Sequence, residues 1–363
     1  DPFATFRAFG SYPFYDTEIR LDGGYTYQST MTDIESESNY RSRSYHGFEI
    51  SPVLIRQGQA ASFPWRLSTG VDIYLSSSES VQFSDSSRDT KEYSADFGFD
   101  HYGAFLEPRV ELSRELIFGG ALRFEQAMLE GKKPEADIED SDIHHAFVYE
   151  GTLTYRPSDE VSMYVRGGSL FRYPFTDEQT TVQEGLGNFN SGLDPETGYS
   201  AEFGGRLSLH NRLELSAEGY VLEMRDEIAW NSAGDAHVNV DGSRRWGADL
   251  EAQAALHRRA ELRASYGYVY SRFTRGPRDG KLIPLVPQHA LDASLDLSPL
   301  NSLTLAPEFR LRSGSYKAGD EENEDSRTDA YYLVDLSLIY RPALGAGSME
   351  LRFEIENLFD SLY

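Results

Sequence analysis

Hydrophobic and polar residues alternate along most of this chain. In the segment WGADLEAQAAL, Trp246, Ala248 and Leu250 fall on one side. Asp249 and Glu251 fall on the other side. The same period of two recurs in AELRASYGYVY and in SMELRFEIE. Strict alternation over such lengths is typical of β-strands with one apolar and one polar face, because a helix would distribute these charges around its circumference.

About sixteen segments of this kind follow one another along the chain, and amphipathic helices do not interrupt them. No linker rich in Pro, Gly or Ser divides them, which indicates one continuous unit. The predicted strands cover residues 3–12, 17–30, 43–56, 64–77, 91–113, 115–130, 143–156, 159–172, 198–210, 211–227, 243–256, 259–273, 287–298, 301–315, 328–342 and 346–358.

The connections between these segments alternate in length. Short turns such as 157–160 and 210–212 alternate with long loops, which are 31–42, 78–90, 129–142, 173–197, 228–242, 274–286 and 316–327. Tight turns on one rim and long loops on the other are typical of transmembrane β-barrels. The sequence therefore predicts an all-β fold, a transmembrane antiparallel up-and-down β-barrel.

Composition favours a surface that faces lipid. Aromatic residues make up 13% of the chain, yet the mean hydropathy is -0.51 and no apolar run is long enough for a membrane-spanning helix. Aromatic residues at strand ends suit a membrane interface, as at Tyr25, Trp65, Trp246, Tyr270 and Tyr340. The alternative is a soluble all-β protein, but open sheets of sixteen strands are uncommon.

Charge and residue types exclude several kinds of site. The formal net charge of -25 argues against a nucleic-acid partner, and the absence of cysteine excludes disulfides and thiolate metal sites. Catalytic constellations and cofactor motifs are not visible, so we expect neither enzymatic activity nor a cofactor. Two acidic segments are solvated loops or, alternatively, calcium sites. Their carboxylates are Asp137, Glu139, Asp140 and Asp142, and Asp320, Glu321 and Glu322.

Seven motifs follow one another from residue 104 to the end. They begin with AFLEPRVELSRELIFGGALRFEQ and end with LIPLVPQH and ENLFD. With these motifs in this order, the chain resembles the β-barrel of the TonB-dependent transporters of the Gram-negative outer membrane. The segment before residue 104 fits the family only by its alternating strand pattern. The residues that carry the resemblance include Phe171, Arg172, Pro174, Pro195, Glu196, Glu202, Asp226, Asn239, Gly247, Glu251, Pro284, Pro287, Asn357, Leu358, Phe359 and Asp360.

The resemblance implies a barrel of 22 strands, of which about sixteen are present here. Residues 1–363 are then a partial barrel domain without the plug domain or TonB box of the family. The implied function is active uptake of a scarce solute, such as a ferric siderophore, haem, cobalamin or a similar chelate, with energy from TonB. The implied partners are outer-membrane lipid and lipopolysaccharide, the chelate, and TonB–ExbB–ExbD through the missing plug.

Candidate substrate contacts lie in the long loops and at the strand ends beside them. Aromatic rings there could stack on a ligand, and arginines could receive an anionic chelate. The alternative for each ring is a place in the interfacial girdle or in loop packing. The candidates are Tyr173, Phe189, Trp230, Tyr316, Arg244, Arg245 and Arg272.

Two other functions remain open from the sequence alone. A passive porin is one alternative, because general porins have sixteen strands. An outer-membrane adhesin or receptor without transport is the other.

Overall fold

The computed structural model describes residues 3–34, 39–175, 178–179, 192–210, 212–231, 236–240, 242–342 and 349–362. A 3-10 helix of three residues spans Pro134–Ala136. The strands are β1 (Phe3–Phe14), β2 (Thr17–Ile34), β3 (Asn39–Ala60), β4 (Phe63–Phe83), β5 (Lys91–Glu111), β6 (Leu116–Lys133), β7 (Ile138–Ser158), β8 (Val161–Arg172), β9 (Glu196–Leu209), β10 (Leu213–Arg225), β11 (Glu227–Asn231), β12 (Ala236–Val240), β13 (Ser243–His257), β14 (Ala260–Phe273), β15 (His289–Leu300), β16 (Leu303–Arg312), β17 (Tyr331–Tyr340) and β18 (Leu351–Ile355).

In the described part of the chain, sixteen strands form one antiparallel sheet in chain order, in which β13 lies beside β10. These are the sixteen segments that the alternation predicts, so the up-and-down meander is confirmed. The two other described strands, β11 and β12, pair with each other and form a small hairpin that the sequence did not predict. Among the described residues, β1 and β18 are not paired with each other. No helix in the described part of the chain is long and apolar enough to cross a membrane.

The pairing register separates an apolar face from a polar face. Leu250 on β13 lies opposite Ala217 on β10 and Tyr266 on β14, and Leu250 is 49% exposed. The next residue, Asp249, lies opposite Glu218 and points to the other side. Large apolar side chains remain exposed on the first face from β1 to β18, which is the arrangement of a sheet whose apolar face meets lipid.

The strands β2, β3, β4, β6 and β7 are longer than predicted, whereas β5 ends two residues before its predicted end. They have 18 to 22 residues, whereas about 9–11 residues of a tilted strand cross a bilayer. The predicted loops at 31–42 and 129–142 are therefore wrong for most of their length, since β2, β3, β6 and β7 extend into them. At 78–90, β4 extends to Phe83, and the rest of the predicted loop precedes β5. Segments such as SSSES at 76–80 are polar on both faces, so the alternation disappears while the ladder to β3 continues.

The polar face is lined by ion pairs between strands. Arg166 on β8 donates to Glu202 on β9, and Arg310 on β16 donates to Asp335 on β17 over 2.8 Å. Arg123 lies 2.6 Å from Asp72, two strands away. Each exposed pair contributes at most about 1 kcal/mol. Their main effect is to balance positive and negative charge on the face that lines a wet lumen.

Candidate functional site

Arg172 stands at the last position of β8, on the rim with the long loops, and two carboxylates hold it. Its Nε and Nη2 donate to the two oxygens of Glu196, over 2.9 and 2.6 Å. Its Nη1 and Nη2 donate to the two oxygens of Glu178, over 2.7 and 2.9 Å. The guanidinium is thus bound in two bidentate pairs, the strongest geometry for an arginine and a carboxylate.

The same carboxylates also anchor the backbone of two loops. Glu196 accepts a hydrogen bond from the amide of Ile228, in β11, over 2.8 Å. Glu178 accepts one from the amide of Phe175 over 2.7 Å. The loop after β8 and the hairpin β11–β12 therefore converge on one guanidinium.

Asn239, in β12, joins the two loops a second time. Its Oδ1 accepts from the amide of Asp194, and its Nδ2 donates to the carbonyl of Asp194, both over 2.8 Å. Nδ2 also donates to the carbonyl of Asp226 over 2.7 Å. Asp226 has a φ of 56°, a left-handed conformation that turns the chain from β10 into β11. We call Arg172, Glu178, Glu196 and Asn239 the loop clamp.

The motif residues of the sequence meet in this clamp. Arg172, Glu196, Asp226 and Asn239 belong to four separate motifs, and the fold brings them to one point of the rim. Glu178 was not among the motif residues that we selected, although it ends the FRYPFTDE stretch. The sequence could have suggested Glu178 as a partner of Arg172, because it lies only six positions after that arginine.

The remaining motif residues serve the wall and its turns. Glu202 pairs with Arg166, and Glu251 accepts from the hydroxyl of Ser216 over 3.2 Å. Pro174 is fully buried, whereas Pro195 is half-buried and Pro284 and Pro287 lie between β14 and β15. At Gly247 a Cβ would lie 2.3 Å from the carbonyl oxygen of Tyr268, so a larger residue would force β13 and β14 apart.

The NLFD motif forms a turn that docks on β17. The amide of Asn357 donates to Asp335, and the amide of Leu358 donates to the carbonyl of Val334, each over 2.8 Å. Asn357 and Asp360 have φ values of 50° and 52°, which asparagine and aspartate tolerate better than most residues. Phe359 is exposed. Tyr363, which the family resemblance also assigns to this motif, lies outside the described residues.

Tyr173 packs onto the polar face just below the clamp. Its ring centroid lies 6.3 Å from that of His101, 6.0 Å from that of His144 and 4.9 Å from that of Phe171. His101 Nε2 in turn lies 2.9 Å from a carboxylate oxygen of Glu125. The Tyr173 hydroxyl is buried and has no hydrogen-bond partner in the described part of the chain. Tyr173 therefore occupies the loop-packing position that the sequence left open.

The register separates the three candidate arginines. Arg245 is on the polar face and donates to Glu227, at the base of β11, over 2.7 Å. Arg244 lies opposite Glu223 on β10 and Arg272 on β14, on the same face as Trp246. Only Arg245 therefore points toward the lumen beside the clamp. The alternation along the sequence already gave these directions, because Arg244 has the same parity as Trp246 and Leu250, whereas Arg245 has the opposite parity.

The other aromatic candidates lie on three different loops. Tyr316 accepts a hydrogen bond at its carbonyl from Leu285 over 2.9 Å, and its ring lies 5.0 Å from the guanidinium of Arg327. Trp230 is in β11, where its backbone pairs with His237. Phe189 lies outside the described residues. The structure thus places Tyr316 and Trp230 on separate loops of the long-loop rim.

The two acidic segments use their carboxylates locally. Asp320 accepts from the amides of Glu324 and Asp325, over 2.8 and 3.2 Å, and so closes its own loop. Glu139 lies 3.1 Å from Lys132, on the neighbouring strand. Among the described residues, no three histidine, aspartate or glutamate side chains are grouped so that they could hold a metal ion. Calcium binding is therefore not part of the function that we propose below.

Glu135 connects the 3-10 helix to β5. Its carboxylate lies 2.9 Å from Lys91 Nζ and accepts from the amide and hydroxyl of Ser94, each over 3.0 Å. Burial favours the protonated form, but Lys91 and Ser94 outweigh it and lower the pKa of Glu135 to about 2. The contribution of this contact to stability is complete above the ordinary pKa of 4.5 and is lost as pH falls through about 2.

Replacing Lys91 with methionine is expected to raise the pKa of Glu135 toward 4.5. Carboxyl NMR titration of the selectively labelled glutamate measures this shift directly. Lys132→Met is the matched control, because Lys132 pairs with Glu130 and Glu139 instead. An unchanged titration of Glu135 in Lys91→Met would contradict the assignment of this ion pair.

A known protein family matches almost the whole length of this chain. Residues 3–358 match the family model described as TonB dependent receptor-like, beta-barrel. The chain belongs to this family. The predicted resemblance, the all-β transmembrane class and the location in the Gram-negative outer membrane are thereby confirmed.

Individual relatives of this receptor barrel are receptors and transporters. The ferrichrome outer membrane transporter/phage receptor of Escherichia coli K12 is 24% identical over 270 residues, which are 72% of this chain and 34% of that protein. The unliganded ferric citrate transporter FecA superimposes with a TM-score of 0.79 at 16% identity, covering 99% of this chain and 57% of the other. The siderophore receptor PiuA of Acinetobacter baumannii gives 0.77 at 15% identity, covering 99% and 60%. The chain therefore spans about a third of the first relative and under two thirds of the others.

Proposed function

We propose that the receptor barrel takes up a ferric chelate across the outer membrane, and that this chain supplies the wall and the outer-loop half of the binding site. The match of residues 3–358 to the barrel family is the observation that carries the proposal. The relatives described as ferrichrome, ferric citrate and siderophore receptors support a ferric chelate over haem or cobalamin.

The ligand is proposed to contact the two loops that the clamp joins. Arg245 contacts Glu227 at the base of the β11–β12 hairpin, and Trp230 lies within β11. Tyr316 comes from a separate loop of the same rim. Phe189 remains a predicted contact on the loop after β8. Tyr173 supports this loop from below and is proposed as a positioning residue.

The energy for uptake is proposed to come from TonB–ExbB–ExbD, acting through the plug domain that receptors of this family carry. A lumen as wide as that of a 22-stranded barrel needs a plug to prevent leakage. The passive porin remains the alternative mechanism. It requires a closed sixteen-stranded barrel, whereas β1 and β18 are not paired among the described residues.

Uptake of iron by whole cells tests this proposal. The full-length receptor, expressed in an Escherichia coli strain without its own ferric chelate receptors, is supplied with radioactive iron as ferrichrome, ferric citrate or a ferric catecholate. We expect accumulation of at least one chelate, and we expect deletion of TonB to abolish it. Uptake that persists without TonB, together with open-channel conductance in planar bilayers, would support the porin instead.

A further inference from the structure

The two loops that the clamp joins are acidic in sequence. Residues 173–195 include four aspartate or glutamate residues and neither lysine nor arginine. Residues 226–242 also include four, again without lysine or arginine. Charges of one sign along a wall of low dielectric create a potential that repels ions of the same sign. These loops therefore oppose the approach of an anionic ligand to the long-loop rim.

The two arginines beside these loops are already neutralised. Arg172 is bound by both oxygens of Glu178 and by both oxygens of Glu196. Arg245 donates to Glu227 over 2.7 Å. All three carboxylates are largely buried, so an anion that displaced one of them would leave it without its partner in a site of low dielectric. Neither guanidinium therefore offers its charge to an anionic ligand.

The neighbouring pair of loops has the same sign. The loop between β16 and β17 carries six carboxylates and two cations. Asn323 ties it to the loop between β14 and β15, because its Oδ1 accepts from the amide of Leu282 over 2.6 Å and its Nδ2 donates to the carbonyl of Leu282 over 2.9 Å. Lys281 donates to the carbonyl of Glu322 over 2.6 Å, and Arg278 lies 3.8 Å from the carboxylate of Glu322. These two cations thus stay beside the acidic segment of their own loop pair.

On the basis of the proposed uptake of a ferric chelate, we propose that this chelate carries no net negative charge and belongs to the hydroxamate class. Hydroxamate groups balance the charge of Fe³⁺ and give a neutral complex, whereas catecholate and citrate ligands leave their ferric complexes anionic. A neutral complex avoids the repulsion of the loop carboxylates and can pack against an aromatic ring such as that of Tyr316. In this arrangement Arg172 and Arg245 position the loops, and the chelate binds without an ion pair to either of them.

Whole-cell uptake of chelates that differ in charge tests this inference separately from the proposed function. The full-length receptor is supplied with iron as ferrichrome and a linear ferric hydroxamate, which carry no net negative charge, and as ferric citrate and a ferric catecholate, which are anionic. We expect TonB-dependent uptake of a hydroxamate with a KM at least about tenfold below those of the anionic chelates. Uptake that depends on TonB but favours an anionic chelate would overturn this inference and leave the proposed function standing. Uptake of none of these chelates would overturn both.

The variant Glu227→Gln tests the part that this chain plays in the selectivity. The substitution removes one loop carboxylate and releases the guanidinium of Arg245, so an anionic chelate gains a partner. Quenching of the tryptophan fluorescence of the full-length receptor in detergent gives the affinity for ferric citrate. We expect this affinity to rise about tenfold, because a hydrogen bond to a charged group becomes available. The affinity for ferrichrome should change less.

The matched control is Glu214→Gln. Glu214 lies 2.6 Å from Arg206 near the short turn between β9 and β10, so this substitution removes the same charge and releases an arginine at the opposite rim. The control should bind ferric citrate like the wild type. An equal gain in both variants, or no gain in Glu227→Gln, would overturn the assignment of charge selectivity to these loops. If Glu227→Gln does not fold, the comparison of chelates with the wild-type receptor decides the question with the outcomes given for it.

Discussion

Replacing Arg172 with alanine is expected to lower the unfolding free energy of the receptor by about 3 kcal/mol, because it leaves two largely buried carboxylates without their partner. Glu178 and Glu196 each have 13% of their side chain exposed, and both would face the space that the guanidinium vacates. Urea titration of the full-length receptor in lipid vesicles, followed by tryptophan fluorescence, gives the free energy. Limited proteolysis of the loop after β8 reports the local part of the effect.

Arg263→Ala is the matched control for this substitution. Arg263 also contacts two carboxylates, those of Glu261 and Asp296, but half of its side chain is exposed. An exposed pair of this kind contributes about 1 kcal/mol or less. Equal losses in the two variants would show that the clamp is an ordinary surface ion pair and does not hold the loops.

Replacing Leu250 with arginine is expected to destabilise the barrel by about 2–4 kcal/mol, the cost of a charge on the lipid face near the bilayer centre. Leu250 is the eighth of the fifteen residues of β13. The measurement is again urea titration in vesicles, with heat-dependent mobility on gels as a check that the barrel forms.

Ser265→Arg provides the comparison on the other face at the same depth. Ser265 lies directly opposite Glu251 on the polar face, where a new guanidinium gains a carboxylate and stays in water. We expect a change of about 1 kcal/mol or less for this variant. A larger loss for Ser265→Arg than for Leu250→Arg would mean that the faces are assigned the wrong way round.

The alternation of residue types was sufficient to predict the wall but not its height. Where one face meets lipid, as in WGADLEAQAAL, the period of two is clear, and all sixteen strands of the large sheet were found. Beyond the membrane both faces of a strand meet water, so the upper part of β4 reads SSSES and has no period. The hairpin β11–β12 has only five residues in each strand, too few for a periodic signal.

The clamp could not be predicted from sequence spacing. Arg172 and Asn239 are 67 positions apart, and only the pairing of β8, β9 and β10 brings their loops together. The motifs identified three of the four clamp residues, and the hydrogen bonds explain why an arginine and an asparagine are needed there. In contrast, the outward direction of Arg244 followed from its parity with Trp246. This direction was missed because the candidate substrate contacts were chosen by residue type, and the face of the strand on which each residue lies was not considered.

Oxygen accessibility along β13 is the most direct test that this sheet is a membrane-spanning wall. The chain has no cysteine, so single cysteines can be introduced at positions 248–253 without removing any others and can carry a spin label in the full-length receptor in bilayers. We predict a strict period of two, with high oxygen accessibility at Ala248, Leu250 and Ala252 and low accessibility at Asp249, Glu251 and Gln253. A flat profile, or a maximum at the acidic positions, would contradict the assignment of the apolar face to lipid and of the polar face to the lumen.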